Sequence, residues 1–288
     1  MSHSTHAPLI SPEDYNLLLG AKPPTPELTP ISFAEREELL DLVIAENIEY
    51  RYINGSCEDR AHYISLLLKK HQVTAGKIWN FAPARYSLAS DELFNMTDPL
   101  GISENTTWGY HVAPFLTAYN QEGDEVETLV IDQSLSANTL LTIDEWLALM
   151  NCPRSIYLLT DADSYLFFSL NNYLMPDESA PAGEWPAFLP SIITGNFWNL
   201  APGDDYVQKG LSINDLAIEI FSIKNQLPAH EATYLHELLK NIDDVIRLTE
   251  VPRPDELSPQ TYRSLIRYYD KRYAHWNDRV AHTQACLN

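Results

Sequence analysis

Residues 54–71 read NGSCEDRAHYISLLLKKH, and this stretch carries the strongest structural signal in the chain. Asn-Gly-Ser is a turn signal, and the apolar residues that follow recur at intervals of three and four, as on one face of a helix. Acidic residues lie in the first turn and basic residues in the last, which complements the helix dipole. The pattern predicts a buried amphipathic helix with Cys57 at its N-terminus.

Strand patterns follow this helix. Residues 108–119 (WGYHVAPFLTAY) and 127–132 (ETLVID) flank a turn-forming segment, NQEGD at 120–124, and predict an antiparallel hairpin. His111 lies in the first strand and Asp132 ends the second, so we expect their side chains to be within reach of each other. Further strands are predicted at 76–81, 155–159 and 164–168, and a loop rich in Pro, Gly and Asp at 176–205.

Helix signals occur on both sides of the strand region. Ser32 and Glu35 form a predicted capping box before a helix at about 33–47, and Thr142 with Glu145 caps a short helix. Near the C-terminus, apolar residues at helical spacing predict three more helices. They span about 216–227, 235–246 and 259–280, the last starting at Ser258-Pro259.

The chain of 288 residues divides into three predicted parts. Residues 1–31 contain six prolines and predict an extended arm, because proline fixes φ and removes a hydrogen-bond donor. Residues 32–205 mix helices and strands, which predicts an α+β unit. Residues 206–288 predict a helical C-terminal extension. We expect the whole to be an α+β protein with an antiparallel sheet.

Cys57, His111 and Asp132 form a candidate catalytic set. Unsatisfied N–H groups and the dipole at a helix N-terminus favour a thiolate and can hold an oxyanion, so we expect the pKa of Cys57 to be lowered. A nucleophilic thiol also needs a base, and the base needs an orienting group. Cys, His and Asp in this order, on a helix tip and an adjacent hairpin, are the arrangement of papain-like and transglutaminase-like enzymes.

Three ordered motifs make the resemblance specific. NGSCEDRAH (54–62), WGYHVAP (108–114) and LVIDQSL (129–135), followed by TIDEW (142–146), resemble the bacterial protein-glutaminase family. The matching positions are Cys57, Arg60, Ala61 and His62; Trp108, Tyr110, His111 and Val112; and Ile131, Asp132, Ser134 and Leu135. The resemblance implies a transglutaminase-like (papain-like) catalytic domain with a nucleophile helix, and deamidation of glutamine side chains in a protein or peptide.

The resemblance also implies roles for single residues. Cys57 attacks the carboxamide carbon to form a thioester, His111 protonates the departing ammonia and then activates water, and Asp132 orients the imidazole. Around this triad, Trp108, Tyr110, Ser134, His62 and Arg60 are candidate substrate-binding or supporting residues. The Trp108 indole is a candidate second oxyanion donor beside the Cys57 N–H. His62 is expected to be a packed histidine, and Arg60 to pair with an acid near the site or in a surface ion pair.

Two other functions stay open at this point. If an amine replaces water, the same residues make a transglutaminase-like acyltransferase or amide synthase, or an amidase, acting on a small biosynthetic intermediate. A binding module that uses the same cleft without catalysis is the second alternative, which the intact Cys, His and Asp argue against. Neither deamidation nor acyl transfer by these residues needs a metal or another cofactor, and we expect none.

The charge, the cysteine count and the N-terminal sequence limit the binding partners and the cellular location that we expect. The net charge is −21, which argues against a nucleic-acid or anionic-membrane binder. Three cysteines are too few for a disulfide framework or a four-thiolate zinc site. The N-terminus has no signal-peptide pattern, so we expect a cytoplasmic protein, with export by a signal-independent route left open. The disulfides and pro-segment of secreted family members are not evident, which favours a narrower, intracellular substrate.

The helical extension departs from the family pattern. Its last part, residues 260–288, carries five basic and two acidic residues on an otherwise acidic chain, so we expect it to dock intramolecularly. Two roles follow from this expectation: the extension completes the core, or it packs beside the active-site face and narrows substrate choice.

Overall fold

A five-stranded antiparallel sheet lies at the centre of the molecule. The computed structural model describes residues 26–86, 90–167, 197–198 and 204–287. These residues form a mixed α+β fold, in agreement with the sequence analysis. The N-terminal arm up to residue 25 lies outside the described residues, as does most of the segment between 168 and 203.

The main sheet contains five strands in the order β6-β5-β4-β1-β7, each antiparallel to its neighbours. Two further pairs, β2-β3 and β8-β9, form separate two-stranded sheets. The strands are β1 (Gly76–Phe81), β2 (Phe94–Thr97), β3 (Asn105–Trp108), β4 (Tyr110–Tyr119), β5 (Val126–Val130), β6 (Leu141–Thr142), β7 (Ile156–Asp161), β8 (Leu166–Phe167) and β9 (Phe197–Trp198).

The helices fall into two groups, before and after residue 204. The first group is α1 (Phe33–Ala45), α2 (Cys57–Lys70), α3 (Pro83–Tyr86) and α4 (Ile143–Leu149). The second is α5 (Tyr206–Ile223), α6 (Ala229–Leu238), α7 (Ile242–Glu250) and α8 (Pro259–Ala285), with a 3₁₀ turn at Lys224–Gln226. Both predicted capping boxes, at Ser32 and Thr142, are confirmed. None of the described helices has the length and apolarity that crossing a membrane requires.

Helix α2 is the centre of the core. Its residues from Asp59 to Leu68 are all buried, because different parts of the chain cover its different sides. Ala61 packs in a cluster with Trp79 of β1 and other residues of the sheet. Leu67 belongs to a second cluster that includes Leu211 of α5. Burial on all sides fixes the position of the helix and therefore of Cys57 at its first turn.

The structure corrects three details of the sequence analysis. The apolar run 108–119 is not one strand, because β3 ends at Trp108 and β4 starts at Tyr110. The apolar stripe at 235–246 belongs to two helices, since Asn241 caps the start of α7. In the segment predicted as loop, Phe197–Trp198 forms a strand that pairs with β8.

The helical extension packs against the sheet-containing unit, as its charge predicted. Arg279 of α8 forms an ion pair with Glu46, which follows α1, and the Trp276 ring meets the edge of Tyr63 at a centroid distance of 5.3 Å. A separate hydrophobic cluster joins Tyr52 to buried residues of α5, α6 and α7. The extension therefore completes the core, which is one of its two expected roles.

Candidate active site

Cys57 follows a tightly held turn. Ser56 has φ 59° and ψ 27°, a left-handed backbone conformation that is uncommon for a residue with a side chain. The turn is held from both sides: the Arg60 guanidinium donates to the carbonyl of Gly55 at 3.0 Å, and Asn54 Nδ2 donates to the carbonyl of Leu239 at 3.2 Å. Such strained conformations persist only where the surroundings over-determine them, and they cluster at functional sites.

His111 and Asp132 form a buried hydrogen-bonded pair. The Nε2 atom of His111 lies 2.6 Å from Oδ2 of Asp132, and both side chains are buried. The predicted hairpin explains the contact. Strands β4 and β5 pair with Phe115 opposite Val130, so the continued register places Asp132 beside Ala113. That position is two residues along β4 from His111 and on the same face of the strand.

Two tryptophans hold the His111 ring. Trp108 stacks on one side at a centroid distance of 5.5 Å and an interplanar angle of 15°. Trp146 stacks at 5.7 Å and 23°, and its Nε1 also donates to Asp132 Oδ2 at 2.8 Å. With Nε2 occupied by Asp132, Nδ1 is the ring nitrogen that remains for proton transfer. The ring orientation is therefore set by packing as well as by the carboxylate.

The surroundings of Asp132 favour its ionised form. Ser134 Oγ donates to Oδ1 at 2.5 Å, and the Ser134 backbone N–H donates to the same oxygen at 3.1 Å. Burial acts to raise the pKa of Asp132, but the charge and hydrogen bond of His111 and the hydrogen bonds from Ser134 and Trp146 outweigh it. The pKa is lowered to about 2. Asp132 is therefore an anion throughout the neutral pH range.

Cys57 lies against the strand that carries His111. Its thiol has a backbone hydrogen bond with Val112, the residue after His111. Cys57, His111, Asp132 and Ser134 also line one small pocket, together with Arg60. The fold therefore brings together the three candidate catalytic residues and two of the predicted supporting residues.

The charge state of Cys57 differs from the prediction. Burial raises the pKa of the Cys57 thiol well above its usual value, and the Glu58 carboxylate raises it further. The thiol donates to Glu58 Oε2 at 3.3 Å. The Arg60 charge and the Val112 hydrogen bond act in the opposite direction but are outweighed. The expected lowering of this pKa is therefore wrong, and Cys57 is a neutral thiol in this arrangement.

A large cleft opens on the other side of Cys57. Its volume is about 770 Å³, within the range of ligand pockets. One wall contains the turn before Cys57 and the residues from Thr107 to Tyr110, so the predicted residues Trp108 and Tyr110 line the cleft. Helices of the C-terminal extension supply the opposite wall. Cys57 thus lies where the small pocket with His111 meets the open cleft.

Two predicted residues have structural roles. His62 is buried and packed, in agreement with the prediction: its Nδ1 lies 3.0 Å from Lys77 Nζ, and its ring meets Tyr165 edge-on at 5.5 Å. Burial and the charge of Lys77 lower the pKa of His62 to about 3, so the ring is neutral. Arg60 is buried. The surface ion pair considered for it is wrong, because the guanidinium braces the turn before Cys57.

Sequence reasoning missed three contributors to the site. No role at the site is predicted for Trp146 from the sequence, although TIDEW (142–146), which contains it, is part of the family-like pattern. Asp59 accepts a hydrogen bond from the Tyr165 hydroxyl at 2.5 Å, and both residues line the cleft. Burial, with the charge of Glu58, raises the pKa of Asp59 to about 8. Nothing in the local sequence indicates this pair, because the two residues are far apart along the chain.

Comparisons with known proteins confirm the resemblance seen in the motifs. A family model described as glutaminase matches residues 32–150, which include Cys57, His111 and Asp132. The solution structure of protein-glutaminase from Chryseobacterium proteolyticum is 20% identical and has a TM-score of 0.39, with 52% of this chain and 82% of that chain covered. A crystal structure of protein-glutaminase is 18% identical, with a TM-score of 0.39 and coverage of 62% and 95%. No curated protein matches the chain at a significant level.

Proposed function

We propose that this protein is a cysteine amidohydrolase that deamidates glutamine side chains of a protein or peptide, using a transglutaminase-like catalytic unit. The observation that carries the proposal is the buried His111–Asp132 pair, with a 2.6 Å contact, in the pocket that Cys57 also lines. All three residues fall in the segment matched by the glutaminase family model.

The first half of the reaction forms a thioester. His111 takes the thiol proton of Cys57 as the sulfur attacks the carboxamide carbon of the substrate. The carbonyl oxygen becomes an oxyanion, for which the backbone N–H of Cys57 at the start of α2 is one donor. The Trp108 indole remains the candidate second donor. His111 then gives its proton to the leaving nitrogen, so that ammonia departs and the acyl group stays on sulfur.

The second half hydrolyses the thioester. His111 removes a proton from water, the resulting hydroxide attacks the acyl carbon, and the thiol is regenerated as the C–S bond breaks. The substrate side chain leaves as glutamate. Asp132 stays ionised, since its pKa is about 2, and it stabilises the imidazolium that forms in both halves.

The resting thiol fits this cycle. A neutral Cys57 has to lose its proton during the attack, and the His111–Asp132 pair provides a base with a fixed ring orientation. The buried contacts that orient His111 therefore contribute to chemistry rather than to stability alone.

Ammonia release from glutamine peptides tests the proposal. We expect the wild-type protein to release ammonia and to convert the glutamine to glutamate by mass spectrometry, and Cys57→Ala to release none. Cys286→Ala, which removes an exposed thiol, is the matched control and should keep full activity. Addition of a primary amine distinguishes hydrolysis from acyl transfer. Ammonia release by Cys57→Ala at the wild-type rate would refute the proposal, and peptide binding without turnover by the wild type would favour the binding module.

A further inference from the structure

The cleft beside Cys57 has one wall that is not covered by the glutaminase family match. That wall consists of residues from α5, α7 and α8, including Tyr206, Ile246 and Tyr269, whereas the match ends at residue 150. The helical extension thus does more than complete the core, because it bounds the space through which a substrate reaches the thiol.

Hydrogen bonds and close packing join the two walls around the turn before Cys57. Ser56 Oγ donates to the carbonyl of Gly210 in α5 at 3.3 Å. A Cβ atom added at Gly210 would lie 1.7 Å from Oδ2 of Asp59, so α5 packs directly against the first turn of α2. Tyr52 also donates from its hydroxyl to the carbonyl of Leu239 at 3.0 Å. Because these contacts flank Cys57, they set the width of the cleft at the reacting centre.

Both walls of the cleft carry acidic side chains. Glu58 lies beside the thiol, and the exposed Asp243 and Glu250 lie on the opposite wall. Among the described residues that line the cleft, Lys209 is the one Lys, Arg or His, and it is paired with Asp205 at 3.0 Å. The chain as a whole has a net charge of −21, so the wider field also attracts cations.

We propose that the cleft binds an extended, cationic polypeptide segment in which Lys or Arg residues flank the glutamine, and that the helical extension is the wall that selects it. A cleft of about 770 Å³ has room for a few residues of extended chain, and we expect its two walls to exclude the surface of a folded domain. The inference rests on the proposed function only in placing the glutamine side chain at Cys57.

A cation next to the glutamine has a second consequence at Glu58. The Glu58 carboxylate holds the Cys57 thiol through a 3.3 Å hydrogen bond. A substrate Lys or Arg that pairs with Glu58 competes for this carboxylate and makes the thiol proton available to His111. The cationic neighbour therefore assists attack as well as binding.

Peptide binding to the full-length Cys57→Ala protein tests the inference without turnover. The probes are two fluorescent peptides of equal length with one central glutamine, flanked by Lys in one and by Glu in the other. We expect the Lys peptide to bind at least about tenfold more tightly at low salt, and this preference to shrink as salt rises. The double change Asp243→Asn and Glu250→Gln should reduce the preference by about threefold for each carboxylate removed, as for exposed ion pairs.

The control carries the same charge change outside the cleft. Asp255→Asn with Glu256→Gln alters two exposed carboxylates of the extension that do not line the cleft, and it should leave the preference unchanged. Equal binding of both peptides, or an equal effect of the two double changes, would overturn the inference. Cleft-dependent binding of the Lys peptide, combined with no ammonia release by the wild type, would refute the proposed function alone.

A second experiment tests the extended state of the segment. The Lys-flanked glutamine sequence is inserted into an exposed helix of a folded carrier protein, and its binding to Cys57→Ala is compared with that of the free peptide. We expect the folded form to bind at least about tenfold more weakly. Equal binding of the two forms would overturn the requirement for an extended segment.

Discussion

Replacing Glu58 by Gln removes the negative charge nearest the Cys57 thiol. The carboxylate disfavours a second negative charge on sulfur, so its loss should lower the pKa of Cys57. Two unit charges 3.3 Å apart interact by roughly 1 kcal/mol in bulk water and roughly 5 kcal/mol at an effective dielectric constant of about 20. Glu58 is partly exposed, so the lower figure applies, and the expected decrease is about one pKa unit.

Alkylation of the thiol by iodoacetamide measures this change. At neutral pH, one unit of pKa gives about tenfold more thiolate, but the intrinsic nucleophilicity of a thiolate falls with its pKa, which leaves a net gain of about threefold in rate. The measurement is the pH dependence of labelling at Cys57, followed by peptide mass spectrometry. A Cys286→Ser background is needed, since Cys286 is exposed.

The remaining cysteine does not disturb the assay. Burial, together with Glu92, raises the pKa of Cys152 to about 11, so it labels slowly at neutral pH. Glu256→Gln, a charge removal at an exposed position outside the cleft, is the matched control and should leave the labelling profile unchanged. If labelling of Cys57 in Glu58→Gln rises at the same pH as in the wild type, or at a higher pH, the electrostatic reasoning is refuted.

Four further predictions concern the groups around the site. Asp132→Asn should lower kcat by about 10³- to 10⁴-fold in the ammonia assay, because the imidazole loses its orienting anion; a loss below about tenfold would contradict the triad. The lowered pKa of Asp132 also contributes stability above pH ~4 that is lost as the pH falls toward 2. A pKa lowered to about 2 amounts to about 2 kcal/mol of stability, so the free energy of unfolding measured with urea should fall over that pH range. It should fall less for Asp132→Asn. Trp146→Phe keeps an aromatic ring beside His111 but deletes the donor to Asp132, and should cost about 1–3 kcal/mol in unfolding free energy; unchanged stability would mean that this hydrogen bond contributes nothing. Gly210→Ala should destabilise the protein by about 1–3 kcal/mol through overpacking against Asp59, although helix propensity alone favours Ala by about 1 kcal/mol. Ser222→Ala, at an exposed position of the same helix, is its control, and a stabilised Gly210→Ala would show that the contact yields easily.

Local signals in the sequence predicted most helices because the interactions that begin a helix are short-range. The capping boxes at Ser32 and Thr142 each join residues three apart, so a sequence motif contains the whole interaction. Strand pairing of β4 with β5 was likewise predictable, since only a short turn separates them. The division of 235–246 into two helices was missed, because apolar spacing continues across Asn241 while the backbone turns.

The candidate site also contains residues that the sequence could predict and residues that it could not. Cys57, His111 and Asp132 could be named from motif order, because a helix N-terminus and a hairpin bring them near one another. The contribution of Trp146 could not be derived from the pattern, since its indole reaches Asp132 only after α4 packs on the sheet.

Local sequence signals therefore predicted the mixed α+β class, the positions of the capped helices and the candidate reactive residues. Each depends on neighbours in the chain or on a hairpin register. The raised pKa of Cys57 and the shape of its cleft arise only from the folded arrangement of the chain. Burial of the thiol comes from elements distant in sequence, and the helical extension reaches the turn before Cys57 through Gly210, more than 150 residues further along the chain. Solvation and electrostatic energies depend on distances in space. Between residues far apart in the chain, those distances are set by tertiary packing and cannot be derived from their spacing in the sequence.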